Sequence, residues 1–250
     1  MKVYGVDSST LLTTANKIRE ENSVSSEDLV FVKTKAEDLE LGEKADIIVS
    51  EWMGYGLLFE TMLPSVISVR DRHMKEGGTM WPNKCSMFIE GATDKSPEYW
   101  DDIFGVKMAA MGEMERGEKC GEAQVEDVKG EDVVTERFRF WDADLNVVKD
   151  EELDFVRPFK ITAAGRVDCL VLTFDVDFDP GSKGAKVTLT TAVQAPVTHW
   201  HHAVLHLRTP LEAGVVEGSV RVERAMENHR DMDVEVEFKN GGRQRWTLKS

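Results

Sequence analysis

Hydrophobic positions divide the chain into two parts with different periodicity. In the first part, short apolar runs such as Leu29–Thr34 and Ile47–Ser50 alternate with segments of helical spacing, which predicts parallel strands with connecting helices. In the second part, apolar residues recur at every second position, as in Leu170–Asp177, and this spacing is typical of antiparallel strands. We therefore expect an α/β domain over residues 1–80 and an antiparallel β domain over residues 81–250.

One segment of the second part departs from this alternation. Residues 96–111 carry Tyr99, Trp100, Ile103 and Phe104 among acidic side chains. Apolar residues grouped in this way among charged ones indicate an amphipathic helix. We expect a helical arm inserted between strands.

Composition and charge narrow the class of partner. The 250 residues are 41% hydrophobic and 31% charged, which is typical of a soluble globular protein. A formal net charge of −15 disfavours direct binding of nucleic acid and favours basic partners. No apolar run approaches the ~20 residues of a membrane span. The three cysteines lack CxxC spacing, so we expect no disulfide framework and a cytoplasmic or nuclear location.

The strongest candidate for chemistry is the segment Ser50–Glu60, with the sequence SEWMGYGLLFE. It follows a predicted buried strand, and ligand sites of open α/β sheets lie at such strand ends. Glu51 and Glu60 flank two glycines and could converge on one guanidinium, whose planar donors match carboxylates. A general acid/base pair, half of a metal site or two surface acids are the alternatives. No His or Cys lies within the segment to complete a metal shell.

Two further acids follow predicted strands. Asp7 ends the strand Val3–Val6 and could accept the hydroxyls of a ribose, although an acid beside serines is also a common helix cap. Glu37 follows the second strand and could meet an adenine amino group, or could simply be solvated.

A cluster of histidines lies in the second part. Thr198–His206 contains four of the six histidines, and His199 and His201 would share one face of a strand. A metal site is one interpretation, but no third ligand can be named, and histidines in strands commonly form hydrogen bonds only.

Together these segments resemble the protein arginine methyltransferase family, whose signature is a double-glutamate loop, SExMGxxLxxE, and a later Thr-His-Trp loop. Ser50–Glu60 matches every signature position, and Thr198–Trp200 matches fully. The segments Val3–Asp7 and Lys35–Glu37 resemble the strand ends that bind the cofactor. Trp100–Gly105 is similar to the dimerisation arm of the family, and Arg230–Asp233 also fits the family pattern.

The resemblance implies a partial Rossmann-like domain that binds S-adenosylmethionine, followed by a β-barrel domain with an inserted dimerisation arm. It implies that Asp7 holds the ribose of the cofactor and that Glu37 and the backbone of Ala36 contact its adenine. Glu51 and Met62 would also lie against the cofactor.

For the substrate, the resemblance implies that Glu51 and Glu60 grip the guanidinium of an arginine, with His199 as the third catalytic residue. Met53, Met62 and Tyr55 would line the substrate pocket, which His199 and Trp200 would close. The features at Met62 and His199 resemble those of the subgroup that dimethylates arginine asymmetrically. Arg/Gly-rich or histone-like proteins are the expected substrates, and a homodimer is expected through the arm.

The Gly-rich loop of the family precedes the ribose acid, so we expect this loop to lie outside the chain and the cofactor site to be incomplete. The alternative function is therefore an inactive fragment or a scaffold that binds Arg-rich proteins or a partner methyltransferase.

Overall fold

The computed structural model describes residues 1–250, which divide into two compact units. Unit 1 consists of Met1–Ser50 and Pro64–Trp81, and unit 2 consists of Glu51–Leu63 and Pro82–Ser250. We expect the segment with both candidate glutamates in the α/β domain over residues 1–80, but it folds within unit 2.

Unit 1 is built from parallel strand pairs and helices. Its elements are β1 (Val3–Asp7), α1 (Leu11–Glu21), β2 (Leu29–Lys33), β3 (Ala45–Val49), α2 (Leu63–His73, with Leu63 in unit 2) and β4 (Met74–Trp81). Strand β1 pairs in parallel with β2, and β3 pairs in parallel with β4. The α/β class predicted for this part is confirmed, although its hydrogen bonds join the strands in two pairs and not in one continuous sheet.

Unit 2 contains two antiparallel sheets and the α-helix α3. The elements are β5 (Lys84–Ala92), α3 (Ala109–Lys119), β6 (Gln124–Glu126), β7 (Phe138–Asp144), β8 (Phe155–Ala163), β9 (Val167–Phe178), β10 (Val187–Thr190), β11 (His202–Leu211), β12 (Gly214–Arg224), β13 (Met232–Phe238) and β14 (Arg243–Leu248). One sheet has the order β6-β11-β9-β5-β7, with β10 also paired to β9, and the other has the order β14-β13-β12-β8. The predicted antiparallel strands are confirmed.

Side chains join the two sheets of unit 2. Trp141 of β7 stacks on Phe155 of β8 with ring centroids 5.0 Å apart. Trp246 of β14 is fully buried and donates its indole N–H to the carbonyl of His206 on β11 at 2.9 Å. The expected barrel is thus not closed by strand pairing, because the strands form two separately hydrogen-bonded sheets that meet through side chains.

The arm differs from the single helix that we expect over residues 96–111. A short 3-10 helix covers Ser96–Asp101, a tight turn follows, and α3 begins only at Ala109. Phe104 and Gly105 have φ values of +53° and +85°, which a right-handed helix does not allow. Asp102 accepts the amide of Gly105 at 2.6 Å and fixes this turn.

None of the helices is both long enough and apolar enough to cross a membrane.

A buried histidine ties the base of the arm to the sheet. His206 is 3% exposed. Its Nδ1 lies 3.3 Å from Asp94 Oδ2, and its Nε2 lies 2.8 Å from Glu126 Oε1. Lys119 at the end of α3 lies 3.6 Å from the same Asp94 carboxylate. Burial opposes protonation of His206, but the hydrogen bonds to the two carboxylates outweigh it and raise the pKa of this imidazole.

This cluster predicts a pH-dependent stability. Because the pKa of His206 is raised in the folded state, its stabilising contribution is complete below its ordinary pKa of 6.5 and is lost as the pH rises through the folded-state pKa. We expect the free energy of unfolding, measured by urea titration, to fall over that range in the native chain. The fall should be smaller in His206→Gln, which cannot carry the charge.

The matched control is His229→Gln, since His229 is exposed; it should keep the native pH dependence. An unchanged pH dependence in His206→Gln would show that the cluster does not stabilise the fold through the charged imidazole.

Candidate functional site

The candidate site in unit 2 is centred on the segment Glu51–Thr61, here called the double-Glu loop. Gly54 and Leu57 exchange two backbone hydrogen bonds of 3.0 Å and form a tight turn. A Cβ atom on Gly54 would lie 2.1 Å from the carbonyl oxygen of Phe59, so only glycine fits there. Gly56 has a φ of +57°, a conformation that glycine adopts without steric penalty.

The side chains of this loop separate into anchors and exposed carboxylates. Trp52, Met53 and the run Leu57–Phe59 are buried, whereas Glu51 and Glu60 are both exposed. The apolar anchors fix the loop, and the two carboxylates remain accessible to a cation. Tyr55 stacks against Phe59 with ring centroids 6.1 Å apart.

The Thr-His-Trp segment packs directly on this loop. Trp200 is 8% exposed and donates its indole N–H to the carbonyl oxygen of Met53 at 2.9 Å. Its ring meets Phe174 of β9 edge to face, with centroids 5.8 Å apart. His199 is exposed, and its ring centroid lies 3.6 Å from that of Trp200. The structure therefore brings together the two segments that the sequence singles out.

The side chains of the predicted substrate residues differ in solvent exposure. Met53 and Trp200 are each 8% exposed and hold the backbone in place, while Met62 is 45% exposed. Tyr55 is half-buried. The side chains of Met62 and Tyr55 are thus more accessible than those of Met53 and Trp200.

Two polar residues near this loop have no role assigned from sequence. Arg230 Nη2 donates to Glu60 Oε1 at 3.0 Å. Asp127 Oδ1 lies 2.9 Å from Nδ1 of His201, whose ring centroid is 6.3 Å from that of Tyr55. The segment Arg230–Asp233 fits the family pattern, which is a signal for Arg230, whereas Asp127 lies in a charged loop that gives no signal.

Unit 1 carries three of the residues predicted to contact a cofactor, Asp7, Ala36 and Glu37, whereas Glu51 and Met62 lie in unit 2. Asp7 is the last residue of β1 and lies opposite Lys33, the last residue of β2, so Asp7 and the segment after β2 lie at the same sheet edge. Asp7 Oδ1 accepts the amide of Ser9 at 2.6 Å. Hydrogen bonds from the Ser9 hydroxyl and amide hold the pKa of Asp7 below its ordinary value, which keeps this carboxylate ionised as an acceptor.

The segment after β2 is fixed from α2. Arg72 donates to the carbonyl oxygens of Ala36 and Leu39, each at 2.8 Å. Glu37 accepts the hydroxyl of Ser65, and this bond lowers the pKa of its carboxyl group. Ala36 and Glu37 are therefore held in place by contacts within unit 1.

No group of three or more His, Cys, Asp or Glu side chains could hold a metal ion.

Comparison with known proteins identifies the family. The family model described as the arginine methyltransferase oligomerization subdomain matches residues 83–243. Protein arginine N-methyltransferase 1 of Saccharomyces cerevisiae is 32% identical over 249 residues, covering 95% of this chain and 70% of the yeast protein. Probable protein arginine N-methyltransferase 6.1 of Oryza sativa subsp. japonica is 31% identical, covering 96% and 70%. The chain belongs to the protein arginine methyltransferase family.

Solved structures agree with this assignment. A chain of the PRMT1 enzyme–prozyme heterotetrameric complex of Trypanosoma brucei with AdoHcy is 32% identical and superposes with a TM-score of 0.84, covering 99% of this chain and 82% of that one. Protein arginine methyltransferase 10 of Arabidopsis thaliana, at 24% identity, shares the fold with a TM-score of 0.85 and coverage of 99% and 83%.

The anchoring role of Trp200 can be tested with Trp200→Phe. This change keeps an aromatic ring but leaves the Met53 carbonyl without its indole donor, which should lower the free energy of unfolding by about 1–3 kcal/mol. Hydrogen exchange measured by mass spectrometry should increase in the double-Glu loop.

Trp100→Phe is the matched control, because it removes the indole bond to Glu115 on the arm and should leave exchange in the double-Glu loop unchanged. Native protection of this loop in Trp200→Phe would show that the indole bond does not hold it.

Proposed function

We propose that this protein transfers a methyl group from S-adenosylmethionine to the guanidinium of arginine in proteins. The observation that carries the proposal is the double-Glu loop, in which buried side chains anchor the backbone while Glu51 and Glu60 stay exposed. An exposed pair of carboxylates on a fixed loop suits recognition of a planar cation.

The two carboxylates act by orientation and electrostatics. Glu51 and Glu60 draw the positive charge of the guanidinium toward themselves and direct the remaining nitrogen for attack. His199 is the proposed third catalytic residue. S-Adenosylmethionine, when bound, supplies the electrophilic methyl group.

The residues of unit 1 fit the proposed methyl donor. The ionised Asp7, at the carboxyl end of β1, offers acceptor oxygens for ribose hydroxyls, as acids at this position do in nucleotide-binding sheets. Glu37 accepts one hydroxyl from Ser65 and has a second oxygen for an adenine amino group. We also propose Ala36 of unit 1 as a cofactor contact and, on the family resemblance alone, Glu51 and Met62.

We propose asymmetric dimethylation as the product, because Met62 and His199 match the subgroup that forms it. Arg/Gly-rich or histone-like proteins are the proposed substrates. The net charge of −15 supports this assignment, since opposite charge steers association. We propose a cytoplasmic or nuclear location, because the three cysteines lack CxxC spacing and predict no disulfide framework.

A second candidate is a scaffold that binds a partner methyltransferase. The similarity to a chain of an enzyme–prozyme complex favours it, because that complex pairs different chains. The two candidates differ in one respect, which is whether Glu51 and Glu60 are needed for turnover by this chain.

Glu51→Gln and Glu60→Gln test the proposed catalytic pair. Glutamine keeps the size of each side chain but cannot balance the guanidinium charge, so kcat/KM for an arginine peptide should fall by about 100- to 1,000-fold. The midpoint of thermal unfolding should stay the same, because both side chains are exposed.

The control is Glu212→Gln, which changes an exposed acid between β11 and β12 and should keep native kcat/KM. Native turnover in both site variants would contradict the proposed roles, and a folded native chain without turnover would favour the scaffold.

Self-association is proposed through the arm. Tyr99, Phe104 and Val106 are 68%, 102% and 59% exposed, and apolar side chains exposed together mark interaction surfaces. Phe104→Glu places a charge at the tip and should shift the chain from dimer to monomer in light scattering.

Val147→Glu, at a position 69% exposed outside the arm, should leave the mass unchanged. If Phe104→Glu and the native chain have the same mass, the arm does not mediate the association.

A further inference from the structure

We propose that Arg230 is a positioning residue, which holds the carboxylate of Glu60 in the orientation required by a substrate guanidinium. This inference rests on the proposed function of the double-Glu loop. It assigns a specific task to a residue 170 positions away from Glu60 in the sequence.

The first step is the backbone of the double-Glu loop. Leu57, Glu60 and Thr61 have φ values of +75°, +69° and +50°, a region that side chains with a Cβ rarely adopt. Such a conformation persists only where surrounding contacts impose it. The end of this loop therefore depends on bonds to another part of unit 2.

Those bonds come from the segment between β12 and β13. The amide of Glu60 donates to the carbonyl oxygen of Arg230 at 2.9 Å, and the Thr61 hydroxyl donates to the carbonyl oxygen of His229. The guanidinium of Arg230 donates to Glu60 Oε1 at 3.0 Å. Arg230 thus binds both the backbone and the side chain of Glu60.

The segment that carries Arg230 is itself fixed. The amide of Arg230 donates to Asn228 Oδ1 at 3.1 Å, and Asn228 Nδ2 donates to Asp231 Oδ1 at 2.9 Å. The Asp231 carboxylate also accepts the amide of Ser250 at 2.9 Å, and the Asp231 carbonyl accepts the amide of Ala225 at 3.0 Å. Arg230 therefore starts from an anchored backbone.

Ion pairs on a protein surface often contribute nothing measurable to folding, and the side chains of Arg230 and Glu60 are 60% and 44% exposed. We therefore expect this pair to contribute little to the free energy of unfolding. Its contact joins one guanidinium nitrogen to one carboxylate oxygen, which directs Oε1 toward Arg230 and leaves Oε2 for a second guanidinium. Arg230 thus controls the orientation of the Glu60 carboxylate.

A competing interpretation has the same contact but the opposite effect. If Arg230 only occupies Glu60 in place of the substrate, its removal frees the carboxylate and lowers KM without lowering kcat. If Arg230 positions Glu60, its removal lowers kcat because the carboxylate no longer holds the guanidinium for attack. The two interpretations therefore differ in which kinetic parameter changes.

The test is steady-state methyl transfer to an arginine peptide by the native chain, Arg230→Ala, Arg230→Lys and the control Arg243→Ala. Arg243 is 64% exposed and pairs with Glu235 at 2.7 Å, so its removal deletes a comparable ion pair on β14. We expect Arg230→Ala to lower kcat by about 10- to 100-fold. Arg230→Lys, which keeps a charged donor, should recover part of this loss, and Arg243→Ala should match the native chain.

A lower KM with native kcat in Arg230→Ala, or identical kinetics in Arg230→Ala and Arg243→Ala, would overturn the inference. If the native chain shows no methyl transfer at all, the result contradicts the proposed function and not the role of Arg230. In that event, hydrogen exchange of residues 54–61 decides the inference, because Arg230→Ala should increase exchange there and Arg243→Ala should not. Unchanged exchange in Arg230→Ala would overturn it.

Discussion

The hydrogen bond from the Trp200 indole to the Met53 carbonyl joins the two segments on which the candidate site of unit 2 depends. Trp200 lies two residues before β11, and its ring rests against Phe174 while its indole reaches this carbonyl. A buried carbonyl without a donor is costly, so this bond fixes the backbone between Glu51 and Gly54. Exposed carboxylates can then be presented from a rigid support.

The second constraint is the left-handed backbone at the end of the double-Glu loop. Glu60 has a φ of +69° and is held by Arg230 through both its amide and its carboxylate. The loop is thus fixed at one end by an indole and at the other by the segment before β13. Fixed carboxylates need little reorganisation when a cation arrives, which is the condition for electrostatic catalysis.

Local pattern predicts much of this fold. Apolar runs predict β1, β2 and β3 of unit 1 but not β4, and two-residue alternation predicts antiparallel strands such as β9 in unit 2, because side-chain direction follows from backbone geometry. The family signature selects the loop at Ser50–Glu60. Hydrophobic spacing does not predict the structure of the arm. The turn at Phe104 and Gly105, both with positive φ, interrupts the expected helix, and α3 begins only at Ala109.

Contacts between distant residues are the part that sequence does not give. The bond between Arg230 and Glu60 spans 170 positions, and no periodicity encodes such a pair. The two sheets are likewise joined by Trp141 on Phe155 and by Trp246 on His206, so their pairing depends on packing. The placement of Glu51–Leu63 in unit 2 follows from the same long-range contacts.

The proposed methyl transfer to arginine is tested most directly by giving the purified folded chain isotopically labelled S-adenosylmethionine and two matched peptides, one with arginine and one with lysine at the same position. Mass spectrometry would locate the label. We expect a labelled methyl group on the arginine guanidinium and none on the lysine peptide. A folded chain that labels neither peptide, or that labels lysine, would contradict the proposed transfer.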